Sequence, residues 1–229
     1  MIGELRALGI AQGLTLGMLI ACPIIAPDML PWAIDAWLLI GGFQLRLADR
    51  RFTLRTGGME WVSHIRMAPW RLVRWGVIAT VALIAGDGER AMGVVIAGML
   101  CELVAYPLST QLLGRRSLPW ASGALAMLIV LTGVVQQPAL HMTACFLSGI
   151  AACMMWLRGP DGDPRALALA LGGGVAAAIA PMLFPGALPF AAPTFTSCAA
   201  WVLAYLSVLR RQVTPWRPGG AAAGLHPSR

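Results

Sequence analysis

The sequence contains no lysine and little charge of any kind: 12% of its 229 residues are charged, while 58% are hydrophobic. All 17 basic side chains are therefore arginines. The absence of lysine excludes chemistry that needs a Schiff-base or nucleophilic amine. Soluble domains carry about 25% charged residues, so this chain could not cover a folded core with polar surface. With a mean hydropathy of +0.73, the composition predicts an all-α membrane protein in contact with the lipid bilayer.

Motifs for catalysis, metal binding and cofactor binding are also missing. The sequence has no HExxH, GxSxG, P-loop, dinucleotide or CxxC motif. The histidines lie far apart and show no ligand spacing, so no metal site is predicted, no haem or pigment is assigned, and the cofactor stays unknown. Nucleic acid is not an expected partner. We interpret the five cysteines as buried small hydrophobic side chains: Cys22, Cys101, Cys145, Cys153 and Cys198.

Charged residues, prolines and glycines divide the apolar sequence into about eight segments long enough to be membrane helices. The segments are about 7–26, 32–47, 71–86, 91–113, 119–135, 139–157, 166–184 and 194–210. Short connections pair them into four hairpins. We therefore predict one transmembrane helix bundle over 1–213 and a flexible cytoplasmic tail over 214–229, which is rich in proline, glycine and alanine.

The arginine distribution predicts the orientation of this bundle. With the N-terminus in the cytoplasm, Arg90 is the only one of the 17 arginines on the outer side. Arginine in short loops favours the cytoplasmic side of a membrane. We therefore expect both termini to be cytoplasmic and the protein to be a multi-pass component of a bacterial inner membrane.

The longest connection, 47–70, mixes arginines with aromatic and aliphatic side chains. This pattern is typical of an amphipathic segment in the headgroup layer, where arginines bind anionic lipid or a partner protein. A positive-inside loop with aromatic anchors explains the segment equally well. The docking residues predicted for this region are Arg50, Arg51, Arg55, Arg66, Arg71 and Arg74.

Small residues recur at every fourth position on two of the predicted helices. The first helix carries Gly9, Gly13 and Gly17, and the seventh carries the stripe Ala168, Gly172 and Ala176. Such stripes allow helices to approach closely in a membrane. They indicate either packing within the bundle or packing against a helix of another protein, and the sequence does not separate the two.

Four residues are candidates for a ligand or ion site. Glu102 lies midway along the fourth span, where a charged carboxylate is costly, so we expect it to be protonated, paired or facing a cavity. Tyr106 follows one turn later, and Pro107 removes the N–H that would bond the carbonyl of Leu103. Asp28 and Asp35 flank the start of the second span, where Asp35 suits a helix N-terminus.

Three functional hypotheses remain open. The first is a non-catalytic membrane subunit or assembly factor that packs against other membrane proteins, which the small-residue stripes and missing catalytic motifs favour. The second is a small proton- or cation-coupled transporter or channel that uses Glu102. The third is an intramembrane enzyme acting on lipid or peptide, for which only Asp28, Asp35 and Glu102 offer carboxylates.

Overall fold

A computed structural model describes residues 2–25, 30–48, 64–66, 68–114, 117–158 and 164–213. Every regular element in these ranges is a helix. The first three are α1 (Ile2–Ile25), α2 (Leu30–Ala48) and α3 (Ala68–Ile84). Helix α4 (Gly88–Leu100) continues through a π-helical turn (Cys101–Ala105) into α5 (Tyr106–Gly114). Then follow α6 (Leu118–Val134), α7 (Pro138–Arg158), α8 (Pro164–Leu183), a 3-10 turn (Pro185–Ala187) and α9 (Leu188–Val213).

Four helical segments in the described ranges are long and apolar enough to cross a membrane. They are Gly88–Leu112, Pro138–Leu157, Pro164–Leu183 and Pro185–Leu206, and two shorter apolar helices cover Ala7–Met18 and Leu118–Val134. The chain is therefore an all-helical protein with helices that can span a membrane, as its composition predicts.

Local sequence explains how the helices begin and end. The turn between α3 and α4 contains Gly86 at a φ of 81°, a left-handed conformation that glycine adopts without a steric cost. Asp87 then caps α4, because its side chain accepts a hydrogen bond of 2.8 Å from the Arg90 N–H. Pro119 lies in the first turn of α6, where its missing N–H costs nothing.

Helix α7 is the centre of the bundle and packs against α2, α4, α6 and α9. Its closest neighbour is α2, and two glycines set this approach. A Cβ atom at Gly149 would overlap the carbonyl oxygen of Leu39, and one at Gly42 would overlap the carbonyl oxygen of Phe146. Backbone contact of this kind supplies the close packing that holds helices together in lipid.

The small-residue stripes lie elsewhere, on exposed helix faces. Gly9, Gly13 and Gly17 of α1 are exposed, as are Ala168, Gly172 and Ala176 of α8. A Cβ atom added at Gly13, Gly17 or Gly172 would meet no atom within 4 Å. A Cβ atom at Gly9 would lie 3.5 Å from the side chain of Gln44 on α2, so this end of the α1 stripe borders the bundle, whereas no neighbouring atom of the described residues lies within 4 Å of one at Gly13, Gly17 or Gly172.

Candidate functional sites

The two ends of the bundle differ in the residues that they gather. A single cavity is lined by Pro31, Arg90 and Pro189, in the first turns of α2, α4 and α9, and by Gln136, which precedes α7. We call this the short-turn end. The opposite end, where Arg46 ends α2 and Arg71 begins α3, is called the arginine end.

Glu102 is buried, with 3% of its surface exposed, and is paired with an arginine. Arg71 on α3 donates from its Nε to Oε2 of Glu102 over 2.6 Å, and the indole N–H of Trp75 donates to Oε1 over 3.4 Å. The pairing compensates the charge of Glu102, which would otherwise be costly at this position in an apolar span. Arg71, predicted as a lipid or partner contact, has a side chain that is only 20% exposed.

The π-helical turn changes which carbonyl group Pro107 leaves without a donor. Tyr106 donates its N–H to the carbonyl of Cys101, five residues back. In this register the donor opposite the Glu102 carbonyl would be residue 107, and proline has no N–H. The freed carbonyl is therefore that of Glu102, one residue before the expected Leu103, because the expectation assumed α-helical spacing.

His64 satisfies this freed carbonyl. Its Nε2 lies 2.9 Å from the Glu102 carbonyl oxygen, and in the tautomer with a proton on Nε2 it donates to this oxygen. The imidazole also stacks on the ring of Tyr106, with centroids 4.9 Å apart. Arg71 donates to the backbone carbonyl of His64 over 2.7 Å. Glu102, Tyr106, Arg71, Trp75 and His64 thus form one group of contacts, the Glu102 cluster.

A cavity of about 30 Å³ lies beside the Glu102 cluster. Gln12, Trp37 and Phe146 line it together with Arg74. A water molecule needs about 10–15 Å³ of such space, so the cavity accommodates water and not an organic ligand.

A second polar site lies at the short-turn end. Nε2 of His141 on α7 is 2.9 Å from Oδ2 of Asp35 on α2. One turn further along α7, the sulfur of Cys145 lies 3.7 Å from the same nitrogen. The other ring nitrogen, Nδ1, is 2.9 Å from the carbonyl oxygen of Thr132. The adjacent cavity has a volume of about 230 Å³, and both Asp35 and His141 line it.

Sequence reasoning named Asp35 but missed this grouping. His141 and Cys145 are four residues apart, a spacing that places both side chains on one face of a helix, and this spacing was the available signal. Asp35 is 106 residues from His141, and only the fold brings them together. Asp35 and Glu102 line different cavities, so they do not form one two-carboxylate centre.

The remaining predicted site residues are less informative. Arg66 and Arg74 are exposed. Asp28, Arg50, Arg51 and Arg55 lie outside the described residues, as do most of 47–70 and all of the tail 214–229.

A third feature is an apolar groove of about 450 Å³ between α1, α2, α8 and α9. Its lining is dominated by small side chains, and we call it the alanine groove. The six alanines that line it are Ala33, Ala36, Ala177, Ala178, Ala191 and Ala192. The exposed stripes of α1 and α8 lie on the two helices that border it.

Comparison with protein-family models, curated proteins and solved structures finds no match to this chain.

Proposed function

We propose that the chain is a non-catalytic integral membrane subunit or assembly factor, and that its alanine groove receives a transmembrane helix of a partner protein. The groove supports this proposal because its six alanines leave a channel of about 450 Å³ between α1, α2, α8 and α9. In lipid, helices associate through close packing and not through exclusion of water. Alanine suits such a contact, since it has no side-chain conformational entropy to lose.

The exposed glycines of α1 and α8 lie outside the groove. Gly13 and Gly17 on α1, and Gly172 on α8, have open space where a side chain would stand, but they do not line the groove. Close approach of a helix within the groove therefore depends on its alanines. The groove is nearly free of polar groups, with Thr15 and Thr196 contributing the hydroxyls, so the expected partner surface is apolar.

The burial and pairing of Glu102 support a role without catalysis. Only 3% of this residue is exposed, and Arg71 binds its carboxylate. A general acid or base needs a proton that substrate can reach, and Glu102 does not meet this requirement.

We also propose eight membrane crossings, with both termini on the cytoplasmic side of a bacterial inner membrane. The ends of the observed helices lie close to the ends of the eight segments that the sequence predicts. Arg90 lies at the short-turn end, whereas Arg46 and Arg71 lie at the arginine end, and this asymmetry supports an outward short-turn end.

Purification in mild detergent from native membranes tests the proposal when two matched variants are compared. Ala178→Leu fills the groove at an exposed alanine, and Gly123→Leu adds the same side chain to an exposed glycine of α6, away from the groove. We expect the wild type and Gly123→Leu to retain the same stoichiometric membrane partner and Ala178→Leu to lose it. If both variants retain the partner equally, the groove is not its binding site.

One observation favours the second hypothesis, a proton- or cation-coupled transporter. The two polar cavities approach within about one helical turn, since Met142 lines one and Phe146 lines the other on α7. Four residues of helix span about 6 Å. On this hypothesis, Glu102→Gln abolishes pH-dependent cation flux into proteoliposomes, whereas Glu89→Gln, at an exposed position of α4, leaves it intact.

A further inference from the structure

We propose that Asp35, His141 and Cys145 form a binding site for a thiophilic divalent cation of the zinc class. Each residue offers one ligand atom, and the three atoms lie within 4.8 Å of one another. The inference goes beyond the proposed function, because equilibrium binding of an ion requires neither a partner helix nor transport.

The orientation of His141 supports the assignment. Its Nδ1 faces the carbonyl of Thr132, which only accepts, so Nδ1 carries a proton and Nε2 faces Asp35 and Cys145. Histidines that bind metals almost always donate their second nitrogen in this way, which fixes the ring and its tautomer. The Thr132 carbonyl is free for this role because it lies in the last turn of α6, where helical carbonyls lack N–H donors.

The distances between ligand atoms fit a tetrahedral ion. Bonds of about 2.0–2.3 Å from zinc to oxygen, nitrogen and sulfur place neighbouring ligands roughly 3.4 Å apart. The observed separations are 2.9 Å from Asp35 Oδ2 to His141 Nε2, and 3.7 Å from that nitrogen to Cys145 Sγ. The third separation, from Asp35 to Cys145, is at most 4.8 Å.

The charges of the three ligands also match those of a divalent cation. A neutral imidazole, a carboxylate and a thiolate together carry two negative charges, which a divalent cation neutralises. A net-neutral complex avoids the cost of an unpaired charge in an apolar interior. Arg90, the cation that lines the adjacent cavity, is already paired with Asp87 at 2.6 Å.

The cavity at the short-turn end completes the site. Zinc is four-coordinate, and a site with three protein ligands leaves one position for water or another small ligand. The space of about 230 Å³ beside Asp35 and His141 provides that position and a route for the ion. Calcium and magnesium are disfavoured, because they require six or more oxygen ligands and do not select sulfur.

Spectroscopy with cobalt tests the site directly. The full-length protein is purified in detergent, freed of metal and titrated with Co²⁺, which occupies zinc sites and absorbs visible light. We expect one Co²⁺ per chain, with the intense band of cobalt–thiolate charge transfer and the visible bands of tetrahedral cobalt. Addition of Zn²⁺ should remove both. A wild-type protein without the thiolate band overturns the proposal.

Variants assign the ligands. Cys145→Ser should lose the thiolate band, whereas Cys198→Ser, at a half-buried cysteine of α9, should keep it. His141→Gln should weaken binding at least ~10-fold, as loss of a group that holds a metal does. Persistence of the thiolate band in Cys145→Ser would refute the assignment.

A stability measurement covers the case in which Cys145→Ser does not fold. Asp35→Asn keeps the thiol and the imidazole. We expect Zn²⁺ to raise the unfolding temperature of the wild type by preferential binding to the folded state and to raise that of Asp35→Asn much less. Equal increases in the two proteins would exclude Asp35 as a ligand.

Discussion

Arg71 and Glu102 are 31 residues apart in the sequence, yet their side chains meet across 2.6 Å and join α3 to the π-helical turn. The carboxylate is nearly inaccessible, and the guanidinium is partly exposed. Glu102 in this arrangement is a structural partner of α3, which gives its burial a physical explanation without chemistry on a substrate.

The first prediction concerns this ion pair. Arg71→Gln or Glu102→Gln alone should lower the free energy of unfolding by about 1.5–3 kcal/mol, the contribution of a hydrogen bond to a charged group. The double variant should cost less than the sum, because each single change leaves one charge without its partner. Reversible unfolding in mixed micelles measures the cycle, with Arg66→Gln, at an exposed arginine that does not line the cavity beside the cluster, as the control. Strict additivity would contradict a direct pair.

The second prediction concerns the carbonyl group that Pro107 leaves to His64. His64→Ala should cost about 1 kcal/mol, the net contribution of one hydrogen bond, along with loss of the stacking on Tyr106. Pro107→Ala restores an N–H that can bond the Glu102 carbonyl within the helix. In that background His64→Ala should therefore cost less, by about the value of one bond. An unchanged cost in the same unfolding assay would show that the carbonyl does not depend on His64.

The third prediction separates two kinds of glycine. Gly149→Ala should be destabilising by about 1–3 kcal/mol, as overpacking of a core is, because its Cβ would overlap the Leu39 carbonyl. Gly172→Ala should be neutral or stabilising in the purified chain, since open space surrounds that position and alanine is the better helix former. Thermal unfolding of the two variants tests this, and equal losses would refute the observed packing of α2 on α7.

The contrast between these glycines shows how far the sequence could lead. Composition and hydropathy predicted an all-helical membrane protein, because those signals can be read from the sequence without knowledge of the fold. The spacing of small residues is the same whether their stripe faces another helix of the bundle or lipid. The sequence therefore could not show which of the two Gly9, Gly13 and Gly17 contact. Gly42, which makes a close contact, belongs to no such stripe, and its role depends on where α7 crosses α2.

For the site residues too, the sequence predicted local properties but not the contacts between helices. The cost of a charge in the membrane predicted that Glu102 is protonated, paired or facing a cavity, and the structure shows the pairing. Arg71 was not predicted as the partner, because its sequence context indicated a contact with lipid or with another protein. The grouping of Asp35 with His141 depends on contact between α2 and α7, which sequence periodicity does not report. The shift of the freed carbonyl from Leu103 to Glu102 comes from one π-helical turn, which has no simple sequence signature.

The fourth prediction tests the proposed orientation. In a background without native cysteines, single cysteines replace Gln137, an exposed residue at the short-turn end, and Ser117, an exposed residue before α6. A membrane-impermeant thiol reagent added to intact cells should label Gln137→Cys and leave Ser117→Cys unlabelled until the membrane is opened. The reverse pattern would invert the topology, and labelling of both in intact cells would place an even number of crossings between them, so that α6 would not cross the membrane.

The central claim is that the alanine groove receives a partner helix, and site-specific photo-cross-linking in native membranes tests it most directly. A photoreactive amino acid is placed at Ala178, in the groove, or at Gly123, on an exposed face of α6. We predict one discrete protein adduct at Ala178, suppressed by Ala192→Leu, which fills the groove from α9, and lipid adducts at Gly123. Lipid adducts alone at Ala178, or the same adducts at both positions, would show that the groove is a lipid-facing surface and contradict the account.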